Sequence, residues 1–127
     1  MIQANPSSAA VDASTLVECI ETCFGCAQSC TACVDACLGE DNPKSLARCI
    51  RLNLDCADVC DATGKILSRQ TAFKLEMARA ALEACAQVCR LCGDECEQHA
   101  SHHEHCRLCA EACRRCEQAC DDLLSKL

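Results

Sequence analysis

The chain has no Trp and no Tyr, and its aromatic residues are two phenylalanines, Phe24 and Phe73. At 127 residues it is the size of one domain with a single core, spanning residues 1–127. Without bulky rings that core must be assembled from Leu, Ile, Val, Ala and Cys. Basic charge is also scarce. A net charge of -7 argues against nucleic acid or an anionic membrane surface as a partner, because both demand a basic face. No apolar run approaches the ~18 residues needed to span a bilayer, so no membrane span is expected. The segment Met1–Ser8 carries no basic n-region, twin arginine or apolar h-region, and the expected compartment is therefore the cytosol.

Motifs for catalysis are missing as well. No Glu is followed three residues later by His, as a di-iron bundle would require. Phosphate-loop and dinucleotide fingerprints are absent. The C-x-x-C of Cys23-Phe24-Gly25-Cys26 lacks the βαβ context of a thiol oxidoreductase. These absences point away from an enzyme.

What the chain has in excess is cysteine, 18 residues of it. That is about one and a half times the ~8–10% level that marks a short chain as a cysteine scaffold. In a reducing cytosol such a count points to metal binding before disulfides. The spacing says more. Cys19, Cys23, Cys26, Cys30, Cys33 and Cys37 follow one another at 4, 3, 4, 3 and 4 residues. At roughly 100° per residue their sulfurs fall within an arc of about 80° on one helix face. Leucines at these positions would form the seam of a helical bundle. Cysteines turn the seam into a row of soft ligands.

The same rhythm recurs in three further segments, giving four helices in all. Residues 1–7 read as a frayed lead-in, and Ser7 or Ser8 is the expected cap of a helix reaching Leu38, stopped at Gly39. Asp41 or Asn42 followed by Pro43 reads as an N-cap with proline at the first helical position. The second helix carries Cys49, Cys56 and Cys60, with Asn53 filling the intervening slot. A third, expected from Thr71 to Gln98, carries Cys85, Cys89, Cys92 and Cys96. The fourth carries Cys106, Cys109, Cys113, Cys116 and Cys120. Short connections between helices of this length predict an all-α, up-down-up-down antiparallel four-helix bundle with a cysteine-lined core.

In that topology one end collects leucines: Leu16, Leu67, Leu75, Leu82, Leu124 and Leu127 form a predicted floor. The opposite end collects Cys37, Cys49, Cys96 and Cys106 together with the histidines. Helical register places His99 and His102 near the seam direction, His105 somewhat aside and His103 further away. These histidines read either as collectors of metal at a mouth or as solvated loop residues. Asn53 reads as a structural residue that satisfies a helix backbone or a neighbour.

Cysteines four apart on a helix have Cβ atoms roughly 5–6 Å apart. Two such thiolates suit a near-linear soft cation whose bonds are slightly shorter than zinc's ~2.3 Å. All but Cys49 and Cys106 fall into such C-x-x-x-C pairs. Thiolates select Cu(I), zinc or iron–sulfur clusters. The C-x-x-C-x-x-C run of the last is absent. Zinc prefers isolated sets of four, whereas a continuous ladder suits bridged Cu(I). If every thiolate bridges two ions and every ion takes two thiolates, about one Cu(I) per Cys leaves the core near neutral. Zinc or mixed soft-metal sequestration, and a Cu(I) transfer chaperone, stay open as alternatives. Because cysteine is small, the empty seam is expected to leave a channel along the axis, with the helices held by a flanking apolar stripe that includes Ile20, Phe24, Leu38, Leu54, Leu91, Leu108 and Leu123.

The ladder of C-x-x-x-C pairs on four helices, the cysteine-free floor and the histidines at the other end resemble the bacterial copper storage proteins, and their cytosolic branch in particular. The resemblance implies storage of multiple Cu(I) ions within each bundle and assembly into a homotetramer. Copper chaperones or small copper-carrying thiols would then be its exchange partners.

Overall fold

Asp12, not Ser7 or Ser8, starts the first long helix. Its carboxylate accepts hydrogen bonds from the Thr15 amide (3.0 Å), the Ser14 hydroxyl (2.8 Å) and the Thr15 hydroxyl (2.6 Å), satisfying donors that the first turn leaves unpaired. A computed structural model describes residues 1–9 and 11–127. Of the turn expected to follow Ser8, Ala10 lies outside the described residues. Helix α1 spans Ala13–Leu38, α2 Ala47–Ser68, α3 Leu75–His99 and α4 Glu104–Leu124, with no strand among the described residues. The lead-in is not frayed. Ile2–Ala4 forms a 3₁₀ turn whose Ile2 is buried in the core cluster.

Gly39 does end α1, in a right-handed conformation, with its amide bonded back to Asp35 and Ala36. Asn42 and Pro43 open a 3₁₀ turn, Pro43–Leu46, before α2 proper begins at Ala47. The α2–α3 turn has neither Gly nor Pro. Gln70 folds back so that its side-chain amide donates to the Leu67 carbonyl at 2.8 Å, and Ala72 takes a positive φ of 55°. A left-handed Ala costs about 1 kcal/mol or more, and the bend it makes delays α3 to Leu75 instead of Thr71.

The helices pack as a ring in which α1 touches α2 and α4, and α3 touches the same two. This is the pattern of a four-helix bundle with short connections. Across the α3–α4 face, Arg114 reaches Asp94 at 2.6 Å and Glu97 at 2.9 Å. All 18 cysteines point inward, are buried and are unpaired by disulfides.

The floor is partly redrawn. Leu16, Leu67, Leu82 and Leu123 are buried in it, whereas Leu124 and Leu127 are half-buried and Leu75 is exposed. Leu123 and Leu124 both continue the register from Cys120, three and four residues on, and the bundle buries the nearer one. Leu75 is the first residue of α3, so its side chain projects past the bundle end, and Ala78 takes the buried position. The flanking stripe divides too. Ile20, Ile50, Leu52, Val59 and Val88 pack on the core, but Phe24, Leu38, Leu54, Leu91 and Leu108 are exposed.

Candidate metal centre

The predicted axial channel is closed. Sulfurs from facing helices meet at van der Waals distance: Cys60 lies 3.6 Å from Cys89 and 3.7 Å from Cys85, and Cys30 lies 3.7 Å from Cys109. The small thiol side chains therefore fill the seam by direct sulfur–sulfur contact. Two metal–sulfur bonds slightly under ~2.3 Å would need sulfurs up to about 4.5 Å apart. The sulfur separations within the array, up to 4.8 Å, already span that distance.

The ladder resolves into sulfur quartets that the one-dimensional spacing does not reveal, because each draws on more than one helix. Cys23, Cys85, Cys116 and Cys120 form one, nearest the floor. Cys26, Cys56, Cys60 and Cys89 form a second, Cys26, Cys30, Cys56 and Cys113 a third, and Cys30, Cys92, Cys109 and Cys113 a fourth. Cys33, Cys37, Cys49 and Cys106 make a fifth at the mouth. Within each, the sulfurs all lie within 4.8 Å of one another. Cys26, Cys30, Cys56 and Cys113 each belong to at least two quartets, so the inner sets are not isolated sites. Cys19 and Cys96 join through Cys120 (3.9 Å) and Cys49 (3.7 Å).

Asn53 sits inside this array with none of its surface exposed. Its side-chain amide donates to the Cys49 carbonyl at 2.8 Å and lies 3.2 Å from the Cys49 sulfur and 3.5 Å from that of Cys96. Its oxygen accepts from the thiols of Cys109 (2.9 Å) and Cys92 (3.3 Å). A buried amide with its donors and acceptor all engaged is tolerated in a core. Here it joins the mouth cysteines to the inner ladder.

At the mouth the histidines are ordered differently from the register argument. Residues 100–103 are not helical, so stepping back from Cys106 along α4 does not reach His102, which is exposed. His105 is the ring that meets the sulfurs: its Nδ1 lies 3.4 Å from Cys33 and 3.6 Å from Cys106. Its Nε2 lies 2.8 Å from the Glu40 carboxylate, which also approaches His103 Nδ1 at 2.9 Å. His99 pairs with the buried Glu95 at 2.9 Å. No spacing in the sequence marks Glu40 as a partner of the histidines. The Glu95–His99 pair was visible there as an i, i+4 spacing.

Protonation follows from burial. Desolvation, with repulsion from Cys37 and Cys96, pushes the Cys106 thiol up from the ordinary 9.0 to about 12, and desolvation raises Cys37 as well. The His105 hydrogen bond holds the Glu40 carboxyl below its ordinary value. The metal-free mouth thus keeps these thiols protonated, and binding a soft cation there must displace their protons.

A family model described as copper storage protein matches residues 12–125. The chain belongs to the copper storage protein family. A solved structure of the copper storage protein Ccsp from Streptomyces lividans, loaded with 10 copper equivalents, is 55% identical, with a TM-score of 0.96 over 98% of this chain and 96% of that one. A further structure from that organism, described as a cytosolic copper storage protein with five coppers, is 58% identical, with a TM-score of 0.89 over 90% of this chain and 95% of that one. The Cu(I)-bound copper storage protein BsCsp3 is 35% identical, with a TM-score of 0.77 over 87% of this chain and 98% of that one. Family and architecture therefore agree with the cysteine pattern from which the bundle was predicted.

Proposed function

We propose that this chain stores Cu(I) in the cytosol, holding about one ion per cysteine in its core and exchanging it through the histidine end. The observation that carries the reading is the continuity of the sulfur array. Quartets that share Cys26, Cys30, Cys56 and Cys113 suit thiolates that bridge two ions each, the arrangement expected of Cu(I). Discrete zinc sites would instead use separate tetrahedral sets. Likeness to copper-loaded relatives over nearly the whole chain supports the same cargo.

The ligands are Cys19, Cys23, Cys26, Cys30, Cys33, Cys37, Cys49, Cys56, Cys60, Cys85, Cys89, Cys92, Cys96, Cys106, Cys109, Cys113, Cys116 and Cys120. His105 collects copper at the mouth, with His99 and His102 nearby on the approach. The role is retention and release, not catalysis. Copper chaperones or small copper-carrying thiols deliver and remove the ion. Assembly into a homotetramer is what the family resemblance implies, and light scattering of the purified chain measures it directly.

Anaerobic titration of the reduced chain with Cu(I), against a competing chelator and with zinc present, tests the cargo. Storage predicts that many Cu(I) ions are retained and zinc is displaced. Saturation at one or two ions would make the chain a transfer chaperone, and retention of zinc against Cu(I) would make it a zinc store.

A further inference from the structure

We infer that Glu40 is a positioning residue of the copper entrance, a latch that holds His105 with its Nδ1 turned onto Cys33 and Cys106. The inference rests on the storage reading above and extends it to a residue outside the ligand set. Glu40 follows the Gly39 stop of α1, and its own amide bonds back to the Cys37 carbonyl at 3.2 Å, which anchors it at the end of the cysteine ladder. From there its carboxylate crosses to the start of α4, where one oxygen lies 2.8 Å from His105 Nε2 and 2.9 Å from Nδ1 of His103, the residue just before the helix. The two imidazoles lie stacked, with centroids 5.4 Å apart and planes at 26°.

A neutral imidazole carries one proton on its two nitrogens. A carboxylate accepts only, so in a neutral ring the short contact to Glu40 favours the Nε2–H form, whose Nδ1 lone pair is free. That lone pair faces the Cys33 and Cys106 sulfurs at 3.4 and 3.6 Å. A cation arriving there meets an imidazole nitrogen and two thiols already arranged around it. A carboxylate behind a ligating histidine fixes the ring's orientation and raises its basicity. Without Glu40 the ring is free to turn away from the sulfurs, and the stacked pair of imidazoles loses the group that joins it to α1.

The test compares the full-length reduced chain with E40A, E40Q, H105A and the double variant E40A/H105A. Stopped-flow mixing with a Cu(I)–bicinchoninate complex reads the first loading phase, and titration reads capacity. E40A is expected to slow the first phase roughly tenfold, with capacity and melting temperature unchanged. E40Q, whose amide oxygen still accepts from Nε2–H, recovers most of the rate. The double variant is no slower than H105A alone, a non-additivity that a merely structural role of Glu40 would not produce. Loading of E40A at the wild-type rate, or slowing that multiplies in the double variant, overturns the latch while leaving storage intact. A wild-type chain that saturates at one or two ions overturns storage itself, so the two failures are distinguishable.

Discussion

Replacing Asn53 with Cys would complete the one seam slot that lacks a thiol. The structure sets the cost. Asn53 is fully buried, and its amide makes one strong hydrogen bond, to the Cys49 carbonyl, while the remaining contacts are to sulfur. The Cys49 carbonyl keeps its helical partner, so losing the side-chain donor is worth about 1 kcal/mol. The thiols of Cys92 and Cys109 lose an acceptor, and the smaller side chain leaves a little space, adding roughly another 1 kcal/mol. N53C should therefore lower metal-free stability by about 2 kcal/mol, a melting shift of several degrees for a chain of this size. Its sulfur would stand between the Cys49–Cys96 pair and the Cys92–Cys109 side of the ladder, within reach of both. Bridging then predicts a capacity greater by about one Cu(I) and a loaded protein as stable as wild type. Calorimetry of the metal-free and loaded forms, with chelator titration of capacity, reads both effects. Unchanged or reduced capacity would refute the account of Asn53 as a rung of the ladder.

Three other predictions follow from particular residues. Because Cys106 is raised to about 12 and Cys37 is raised as well, the native state holds more protons at these two positions than the unfolded chain does above the ordinary thiol value of 9.0. The stability these two thiols contribute is then fully present below about pH 9 and is lost as pH rises toward 12; denaturant titrations between pH 8 and 11 of wild type against a Cys37→Ser/Cys106→Ser variant would contradict this if the difference between them held constant or grew. Leu82→Ala, at a fully buried floor position, should cost about 3 kcal/mol while leaving copper capacity unchanged, and a loss of capacity in the folded variant would place the floor within the metal site. Gly25 is exposed in the middle of α1, and a Cβ there meets nothing within 4 Å, so Gly25→Ala should stabilise by up to about 1 kcal/mol through helix propensity; a lower melting temperature would show an unseen contact.

The cysteine face was legible because it is local. A 3/4 spacing fixes which way each side chain points once a helix forms, whatever its neighbours do, and all four seams were found in this way. Features that depend on more than one helix were not. No spacing announces that Cys23 meets Cys85, Cys116 and Cys120, and none announces that the seam closes to sulfur contact. Chain reversals were the other gap. Ala72 at positive φ carries no compositional signal, and Ser7 and Ser8 offer capping chemistry as good as that of Asp12, which carries the cap. The histidine mouth lies beside such a reversal: α4 begins only at Glu104, so a register extended backward from Cys106 points to His102, whereas His105, in the first turn of α4, is the ring that meets the sulfurs. Asn53 was recognised as polar and core-facing, but its bonds reach three helices, and its role emerges only with the bundle assembled.

The central claim is that the four cysteine faces act as one store rather than as separate sites. Native mass spectrometry of the reduced chain at rising Cu(I) tests it most directly, because it counts the ions on each molecule. The account predicts a progression through many intermediate loadings toward about one Cu(I) per cysteine, on the bridging of each thiolate between two ions. A distribution that stops at one or two ions, with the remaining thiols still free to react, would contradict it.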